Sequence, residues 1–162
     1  MTSIIALDIG GTQMRAARFL VNSHTPELVR RIPTQSPEGD SLSRLITLIH
    51  SIWPEEGLVS AIGIAVPGPT DPYAGVIIEA PNIPGWENLP LKQILETEFQ
   101  VPVALGNDAN LAAMGEWKYG AGRGHHHMLY LTVSTGIGGG VIINDQLLLG
   151  QRGLAGELGH IP

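Results

Sequence analysis

The chain has 162 residues and a formal net charge of −6; 43% of its residues are hydrophobic and 15% are charged. This length and composition allow one ordinary globular core with some chain left over. Lysine and arginine are not concentrated in any stretch, which argues against a nucleic-acid partner. The absence of cysteine excludes a disulfide framework, a thiol nucleophile and a thiolate zinc site within these residues.

The N-terminal residues predict neither a targeting segment nor a membrane span. No basic segment precedes the first apolar run, and Asp8 interrupts that run long before it reaches membrane-spanning length. We therefore expect a cytoplasmic protein that has no membrane partner and binds a small or neutral ligand.

The first third of the chain predicts three strands and a helix. Strands are expected at residues 3–7, 14–21 and 29–34, with a glycine turn between the first two. The helix covers residues 42–53, because its apolar residues recur every three or four positions. Asp40 or Ser41 is the expected N-cap, and Pro54 is expected to end the helix.

The middle of the chain alternates between strand and helix. The continuous apolar run at residues 61–66 predicts a central strand buried on both faces, and residues 75–79 form a weaker strand candidate. A helix at 91–99, a strand at 101–105 and a helix at 109–119 follow. Such alternation predicts an α/β sheet covered by helices.

A second unit is predicted to begin after residue 120. The glycines of residues 120–124 are typical of a linker, which divides the chain into a first domain, 1–120, and an incomplete second domain, 121–162. Strands are expected at 128–134 and 141–149, with a glycine-rich stretch between them. This repeats the strand, glycine turn, strand order of the N-terminus and indicates a duplicated domain plan.

Two glycine turns are candidate phosphate sites. Adjacent glycines let backbone N–H groups converge on one concavity without an obstructing Cβ, although each turn taken alone is equally compatible with an ordinary hairpin. No Gly-Lys dipeptide is present, so neither is a Walker loop. The residues concerned are Gly10, Gly11, Thr12, Thr135, Gly136, Gly138 and Gly139.

Two aspartates lie beside predicted strand ends. Asp8 ends a strand expected to be buried, where a carboxylate needs a partner, so it either orients a hydrated metal ion or stabilises the glycine turn. Asp108 lies where a strand meets a helix, the place where ligands gather in open α/β sheets. Either Asn107 or Asp108 is the expected N-cap of the helix, and the functional alternative for Asp108 is a carboxylate that accepts a proton during phosphoryl transfer.

The polar residues of the C-terminal half have weaker signals. On composition alone, Glu157 and His160 fit a polar loop. The consecutive residues His125, His126 and His127 lack the separated spacing that places two imidazoles on one metal ion, so a solvated loop is the favoured interpretation.

Taken together, the motifs resemble the ROK family, named for repressors, open reading frames and kinases. The matching segments follow one another through the whole chain: Asp8-Ile9-Gly10-Gly11-Thr12, Val66-Pro67-Gly68-Pro69, Ala80-Pro81-Asn82, Gly106-Asn107-Asp108-Ala109-Asn110, Ser134-Thr135-Gly136-Ile137-Gly138-Gly139-Gly140 and Ala155-Gly156-Glu157-Leu158-Gly159-His160. The resemblance implies an actin-like, ribonuclease-H-like α/β domain with a mixed sheet, followed by the opening hairpin of a second similar domain.

The resemblance also implies a function and a set of site residues. It implies a glucokinase-like sugar kinase that transfers phosphate from ATP, with Mg²⁺, to a hexose. Asp108 would then be the catalytic base, and the two glycine turns with Asp8 would face the phosphates and the metal. The residues implied to contact the sugar are Asn82, Asn107, Asp108, Glu157 and His160.

The chain departs from the family pattern in length. Family members continue into a cysteine cluster that, together with the histidine matching His160, usually holds zinc, so we expect no zinc unless those cysteines are supplied. We expect a homo-oligomer or a second chain that completes the second domain, because an unpaired apolar hairpin is marginal.

The alternative is a noncatalytic sugar-binding regulator or an inactive fragment of the same family. A repressor of the family would carry a DNA-binding domain in front, and because Met1 lies only a few residues before the first strand, we do not expect one here.

Overall fold

A computed structural model describes residues 1–37, 39–133, 136–151, 153–157 and 159. Three helices and eleven strands are found among these residues. The helices are α1 (Ser41–His50), α2 (Leu91–Phe99) and α3 (Asp108–Tyr119). The strands are β1 (Thr2–Ile9), β2 (Gln13–Leu20), β3 (Leu28–Pro33), β4 (Leu58–Val66), β5 (Thr70–Asp71), β6 (Val76–Glu79), β7 (Glu87–Leu89), β8 (Val103–Asn107), β9 (Met128–Val133), β10 (Ile137–Ile143) and β11 (Gln146–Leu147).

A five-stranded mixed sheet forms the centre of the N-terminal part, with the strand order β3-β2-β1-β4-β8. Strands β1, β2 and β3 pair antiparallel, whereas β1, β4 and β8 run parallel. The carboxyl ends of the three parallel strands therefore meet at one edge of the sheet. Strands β5, β6 and β7 form a separate small antiparallel sheet.

One face of the central sheet carries the main apolar core. Ile5, Leu7 and Ile9 of β1 point into it, and the apolar faces of α1 and α2 contribute to the same cluster. Strand β4 lies centrally, as predicted, but the prediction that it is buried on both faces is wrong. Val59, Ile62, Ile64 and Val66 are buried, whereas the residues between them remain at least partly exposed.

Helix α1 is shorter than predicted. Asp40 is its N-cap and accepts hydrogen bonds from the N–H groups of Leu42 and Ser43. The helix ends at His50, well before Pro54, and the chain then continues in tight turns in which Ile52 donates to Ile49. Ile52 stays fully buried, which explains why the apolar pattern extends beyond the helix.

The second half of the chain forms a three-stranded sheet with the order β11-β10-β9. The predicted strand 141–149 begins earlier, at Ile137, so Gly138 is a strand residue paired with Thr132 rather than part of a turn. Gly139 and Gly140 continue the same ladder. Ser134 and Thr135 of the predicted turn lie outside the described residues.

Helix α3 packs against this second sheet through small residues. A Cβ added to Gly140 would lie 2.5 Å from the Cβ of Ala113, so the glycine allows strand β10 to approach the helix closely. The predicted linker that follows is tied to α3, because the carbonyl of Glu116 accepts the N–H groups of Gly120 and Gly122. The domain boundary at residue 120 stays a prediction.

Within the described part of the chain, no helix is both long and apolar enough to cross a membrane.

Candidate active site

The carboxyl ends of the parallel strands open into a cleft of about 470 Å³ between the central sheet and the β9–β10 hairpin. Four of the predicted site residues lie on its wall, namely Asp8, Asp108, Gly136 and Gly138. The remaining lining residues are Ala109, Ala112, Tyr130, Thr132 and Ile137. The fold thus brings together two aspartates and two glycines from three distant parts of the sequence.

Asp108 is the first residue of α3, and the N-cap is its neighbour Asn107. The side-chain oxygen of Asn107 accepts the N–H of Asn110 at 3.1 Å. Of the two roles open to Asp108 in the sequence, the capping role is therefore already filled. One carboxylate oxygen of Asp108 accepts the N–H of Ala109 at 2.8 Å.

The pKa of the Asp108 carboxyl is raised above its ordinary value of 3.8. Burial is the main cause, the hydrogen bond from Ala109 opposes it, and the negative charge of Asp8 adds to the rise. The residue as a whole is exposed, and it lines the cleft. A carboxylate with a raised pKa and no capping duty has the properties of a general base.

Asp8 lies on the exposed face of β1, contrary to the expectation of a buried strand end. Its side chain is 60% exposed, and its only ion-pair partner among the described residues is Arg15, at 3.8 Å. Arg15 is the cross-strand neighbour of Asp8 on β2, and so exposed a pair contributes little stability. The carboxylate is thus accessible from the cleft.

The first glycine turn packs against the loop that contains Asn82. The N–H of Gly10 donates to the carbonyl of Gln13 at 2.9 Å and closes the turn. A Cβ added to Gly11 would lie 2.5 Å from the Cβ of Asn82. Neither Gly10 nor Gly11 has a positive φ, so close approach rather than backbone strain explains the glycine at position 11. Thr12 is exposed beside them.

The second glycine stretch divides between the cleft and the interior. Gly136 and Gly138 line the cleft, whereas Gly139 is buried in β10. A Cβ added to Gly156 would lie 2.6 Å from the carbonyl oxygen of Gly139, which shows how closely that loop covers the strand. Thr135 lies outside the described residues.

Glu157 lines a second cleft of about 560 Å³ rather than the first. The same cleft is lined by Gly68, Pro69 and Pro81, which belong to two of the sequence motifs. Asn107 reaches this region as well, because its side-chain amide donates to the carbonyl of Gly68 at 3.1 Å. His160 lies outside the described residues.

Sequence analysis missed two polar residues of the first cleft, Tyr130 and Thr132. They alternate along β9 and therefore face the same side of the strand, with Gly138 directly opposite Thr132. The signal was available in the sequence, since residues two apart on a strand that leads into a glycine turn share a face.

The metal-binding potential of the site lies in its aspartates. No group of three metal-ligating side chains occurs among the described residues. Mg²⁺, however, commonly takes only one or two carboxylates and completes its shell with phosphates and water, and the accessible carboxylate of Asp8 fits that requirement. A zinc site with cysteine ligands does not fit, because the chain has no cysteine.

The chain belongs to the ROK family, whose model matches residues 4–162. It is 39% identical to a glucokinase from Halalkalibacterium halodurans and 36% identical to a xylose repressor from Bacillus spizizenii, each over 97% of the chain. The structure of a ROK family glucokinase from Streptomyces griseus in complex with glucose and AMPPNP superposes with a TM-score of 0.84 at 35% identity, over 98% of this chain and 50% of that one.

These similarities confirm the expected fold class, the actin-like α/β fold with a mixed sheet. The chain spans about half the length of the glucokinase (49%) and 38% of the repressor. The partial coverage of the glucokinase agrees with the expectation of an N-terminal portion of a glucokinase-like protein. The relatives include both sugar kinases and repressors.

Proposed function

We propose that the protein is the part of a sugar kinase that contains the general base. Such a kinase transfers the γ-phosphoryl group of ATP to a hydroxyl of glucose or a related hexose. The observation that carries this proposal is the placement of Asp108. Its carboxylate faces a cleft lined by Asp8 and two glycines, has a raised pKa, and is relieved of capping by Asn107.

Asp108 acts as the general base in this proposal. Its carboxylate accepts the proton of the attacking sugar hydroxyl, whose oxygen forms a bond to the γ-phosphorus while the bond from that phosphorus to the bridging oxygen of ADP breaks. Asp108 is the first residue of α3, so its backbone is held by a regular element. Such rigid placement is what proton transfer at hydrogen-bond distance requires.

The phosphates lie against the glycine segments in this proposal. Bound Mg²⁺ would neutralise charge on the phosphates, and Asp8 is the residue that would hold it or its water ligands. Backbone N–H groups at the two glycine segments, other than that of Gly10, which donates to Gln13, would face the phosphate oxygens. The residues assigned to this side are Asp8, Gly10, Gly11, Thr12, Thr135, Gly136, Gly138 and Gly139.

The sugar lies between Asp108 and the second cleft in this proposal, in contact with Asn82, Asn107, Glu157 and His160. Asn107 already uses one N–H to reach Gly68 and one lone pair to cap α3. Its amide therefore retains one N–H and one lone pair for a sugar hydroxyl. Because its capping bond fixes the amide, the remaining groups have a defined direction.

The proposed function is tested with a coupled assay of ADP release by the full-length protein over a panel of glucose, fructose, mannose and N-acetylated hexosamines. We expect turnover with at least one hexose and none without Mg²⁺. Binding of a hexose without any phosphorylation would refute the proposal.

A noncatalytic sugar-binding regulator is the second candidate, favoured by the 36% identity to a xylose repressor. In that case the full-length protein would bind sugar without turnover, and replacement of Asp108 would alter sugar affinity alone.

The remaining proposals concern the setting of the protein. We propose a cytoplasmic location, where ATP and free sugars meet, and a first domain of residues 1–120 followed by the start of a second at 121–162. We further propose a homo-oligomer, or a chain that supplies the rest of the second domain. No nucleic-acid or membrane partner is proposed, and zinc would bind His160 only with cysteines from outside these residues.

A further inference from the structure

Thr34 connects three separate parts of the chain although it lies outside both clefts. It follows β3 directly and is completely buried. Its N–H donates to the carbonyl of Thr12 at 2.9 Å, and its hydroxyl donates to the carbonyl of Gly10. Its own carbonyl accepts the hydroxyl of Ser41, at the start of α1, at 3.0 Å. Each polar group of Thr34 is thus used to tie the first glycine turn to a helix.

The next residue ties down the neighbouring loop. The side-chain amide of Gln35 donates to the carbonyl of Asn82 at 3.1 Å, and Asn82 in turn packs against Gly11. We call residues 34 and 35 the brace. The brace therefore holds both the glycine turn, assigned above to phosphate, and the loop of Asn82, assigned to the sugar.

The hydrogen bonds of Thr34 determine which way the turn presents its N–H groups. In a trans peptide the C=O of one residue and the N–H of the next lie in one plane and point in opposite directions. Because Thr34 holds the carbonyl of Gly10, the N–H of Gly11 is directed away from Thr34. Glycine has more backbone freedom than any other residue, so a two-glycine turn gains the most from such a restraint.

We propose that Thr34 is a positioning residue for phosphate recognition, acting through the carbonyls of Gly10 and Thr12 without touching the ligand. This inference rests on the proposed kinase function. It implies that loss of the hydroxyl lets the peptide plane between Gly10 and Gly11 rotate, which weakens the binding of MgATP more than that of the sugar.

The test compares Thr34→Val, Thr34→Ser and wild type in the full-length protein. Thr34→Val keeps the shape and removes the donor, whereas Thr34→Ser keeps the donor. In Thr34→Val we expect the KM for MgATP to rise about tenfold, the scale set by one lost hydrogen bond, with the KM for glucose nearly unchanged. Amide hydrogen exchange at residues 11–13 should accelerate, and Thr34→Ser should restore both readouts.

Thr97→Val is the matched control. The hydroxyl of Thr97 also donates to a backbone carbonyl, that of Gln93 at 2.8 Å, but on the exposed surface of α2. Its loss should leave the KM values and the exchange at residues 11–13 unchanged. If Thr34→Val does not fold, Ser41→Ala takes its place, since it releases the carbonyl of Thr34 while leaving the cap Asp40 intact. It should change both readouts in the same directions.

The outcomes separate this inference from the proposed function. A wild-type protein without hexokinase activity refutes the kinase, while the exchange data still decide whether Thr34 restrains the turn. Unchanged exchange at residues 11–13 in Thr34→Val, or in Ser41→Ala where that variant is used, overturns the brace. An equal rise in both KM values also overturns its specific role in phosphate recognition.

Discussion

At the residue scale, the carboxylate of Asp108 is the group on which turnover should depend. Asp108→Asn keeps the size and the hydrogen bond to Ala109 but cannot accept the sugar proton. We expect turnover of the full-length protein to fall on the order of 100-fold or more, with little change in sugar affinity. Glu87→Gln, an exposed neutralisation on β7, should leave turnover unchanged. Near-normal turnover in Asp108→Asn would refute its role as the base.

The raised pKa of Asp108 also predicts a pH-dependent effect on stability. The folded state holds this proton more tightly than the unfolded state, so the stability it contributes is fully present below pH 3.8 and lost as the pH rises through the raised pKa. Asp108→Asn removes that loss. The free energy of unfolding of the variant minus that of wild type should therefore be larger at about pH 7 than at about pH 3.

The measurement is urea unfolding of both proteins at the two pH values. A stability difference between variant and wild type that does not change with pH would contradict the predicted titration. A variant that becomes relatively less stable at neutral pH would show that the charged form of Asp108 is the one that the fold favours.

Gly11 gives a further prediction at this scale. From the sequence alone, Gly11→Ala is expected to weaken the binding of ATP more than that of the sugar, because the added Cβ would lie where the phosphates approach. In the structure the same Cβ would lie 2.5 Å from Asn82, so the loop of Asn82 must move. We therefore expect the KM values for both ligands to rise, and a change confined to MgATP would show that the contact with Asn82 is not limiting.

At the element scale, the glycines of β10 determine how closely the second sheet approaches α3. Gly140→Ala would place a Cβ 2.5 Å from that of Ala113, and we expect it to cost about 1–3 kcal/mol of unfolding free energy through overpacking. Gly115 lies on α3 itself, and a Cβ added there would have no other atom within 4 Å. Gly115→Ala should instead stabilise the protein by about 0.5–1 kcal/mol, since alanine is the better helix former.

Chemical unfolding of the two glycine variants measures this difference directly. The pair is matched, because each substitution adds one methyl group beside α3. Gly140→Ala adds it where β10 packs on the helix, and Gly115→Ala adds it on the exposed side of the helix. Equal effects from both substitutions would mean that β10 does not pack on α3 as described.

At the scale of the whole molecule, the second sheet has one covered and one open side. Strand β10 pairs on both edges and packs on α3, whereas β9 is an edge strand. Leu129, Leu131 and Val133 of β9 are 59%, 55% and 79% exposed. Among the described residues β10 pairs with both β9 and β11, so the open edge of this sheet is that of β9. Exposed apolar edges favour association with other chains.

We predict that a polypeptide of residues 1–162 self-associates through β9. Leu131→Lys should shift its sedimentation toward the monomer, because a charge on the open face opposes strand pairing and apolar contact. Leu58→Lys changes a leucine that is 71% exposed on β4 of the central sheet, and it should leave the association unchanged. A wild-type polypeptide that sediments as a monomer at all concentrations would refute this prediction.

The elements and the location of the candidate site were largely predictable from local pattern. Helix α2 covers the predicted residues 91–99, and each parallel strand ends where a predicted motif begins. These features depend on the spacing of neighbouring residues, because the periods of helices and strands, and the conformations of glycine and proline, act within a few positions. The sequence by itself thus determined the α/β class and placed its polar motifs at the carboxyl ends of strands.

Only the tertiary structure decided how those motifs meet. It places Asp8 on the exposed side of β1 and brings its charge near Asp108. It also packs Gly11 against Asn82. It also makes Gly138 part of a strand, paired with Thr132. Each of these facts depends on residues far apart in the chain, because exposure, close contact and electrostatic shifts are set by which surfaces pack together, and no local period encodes that choice.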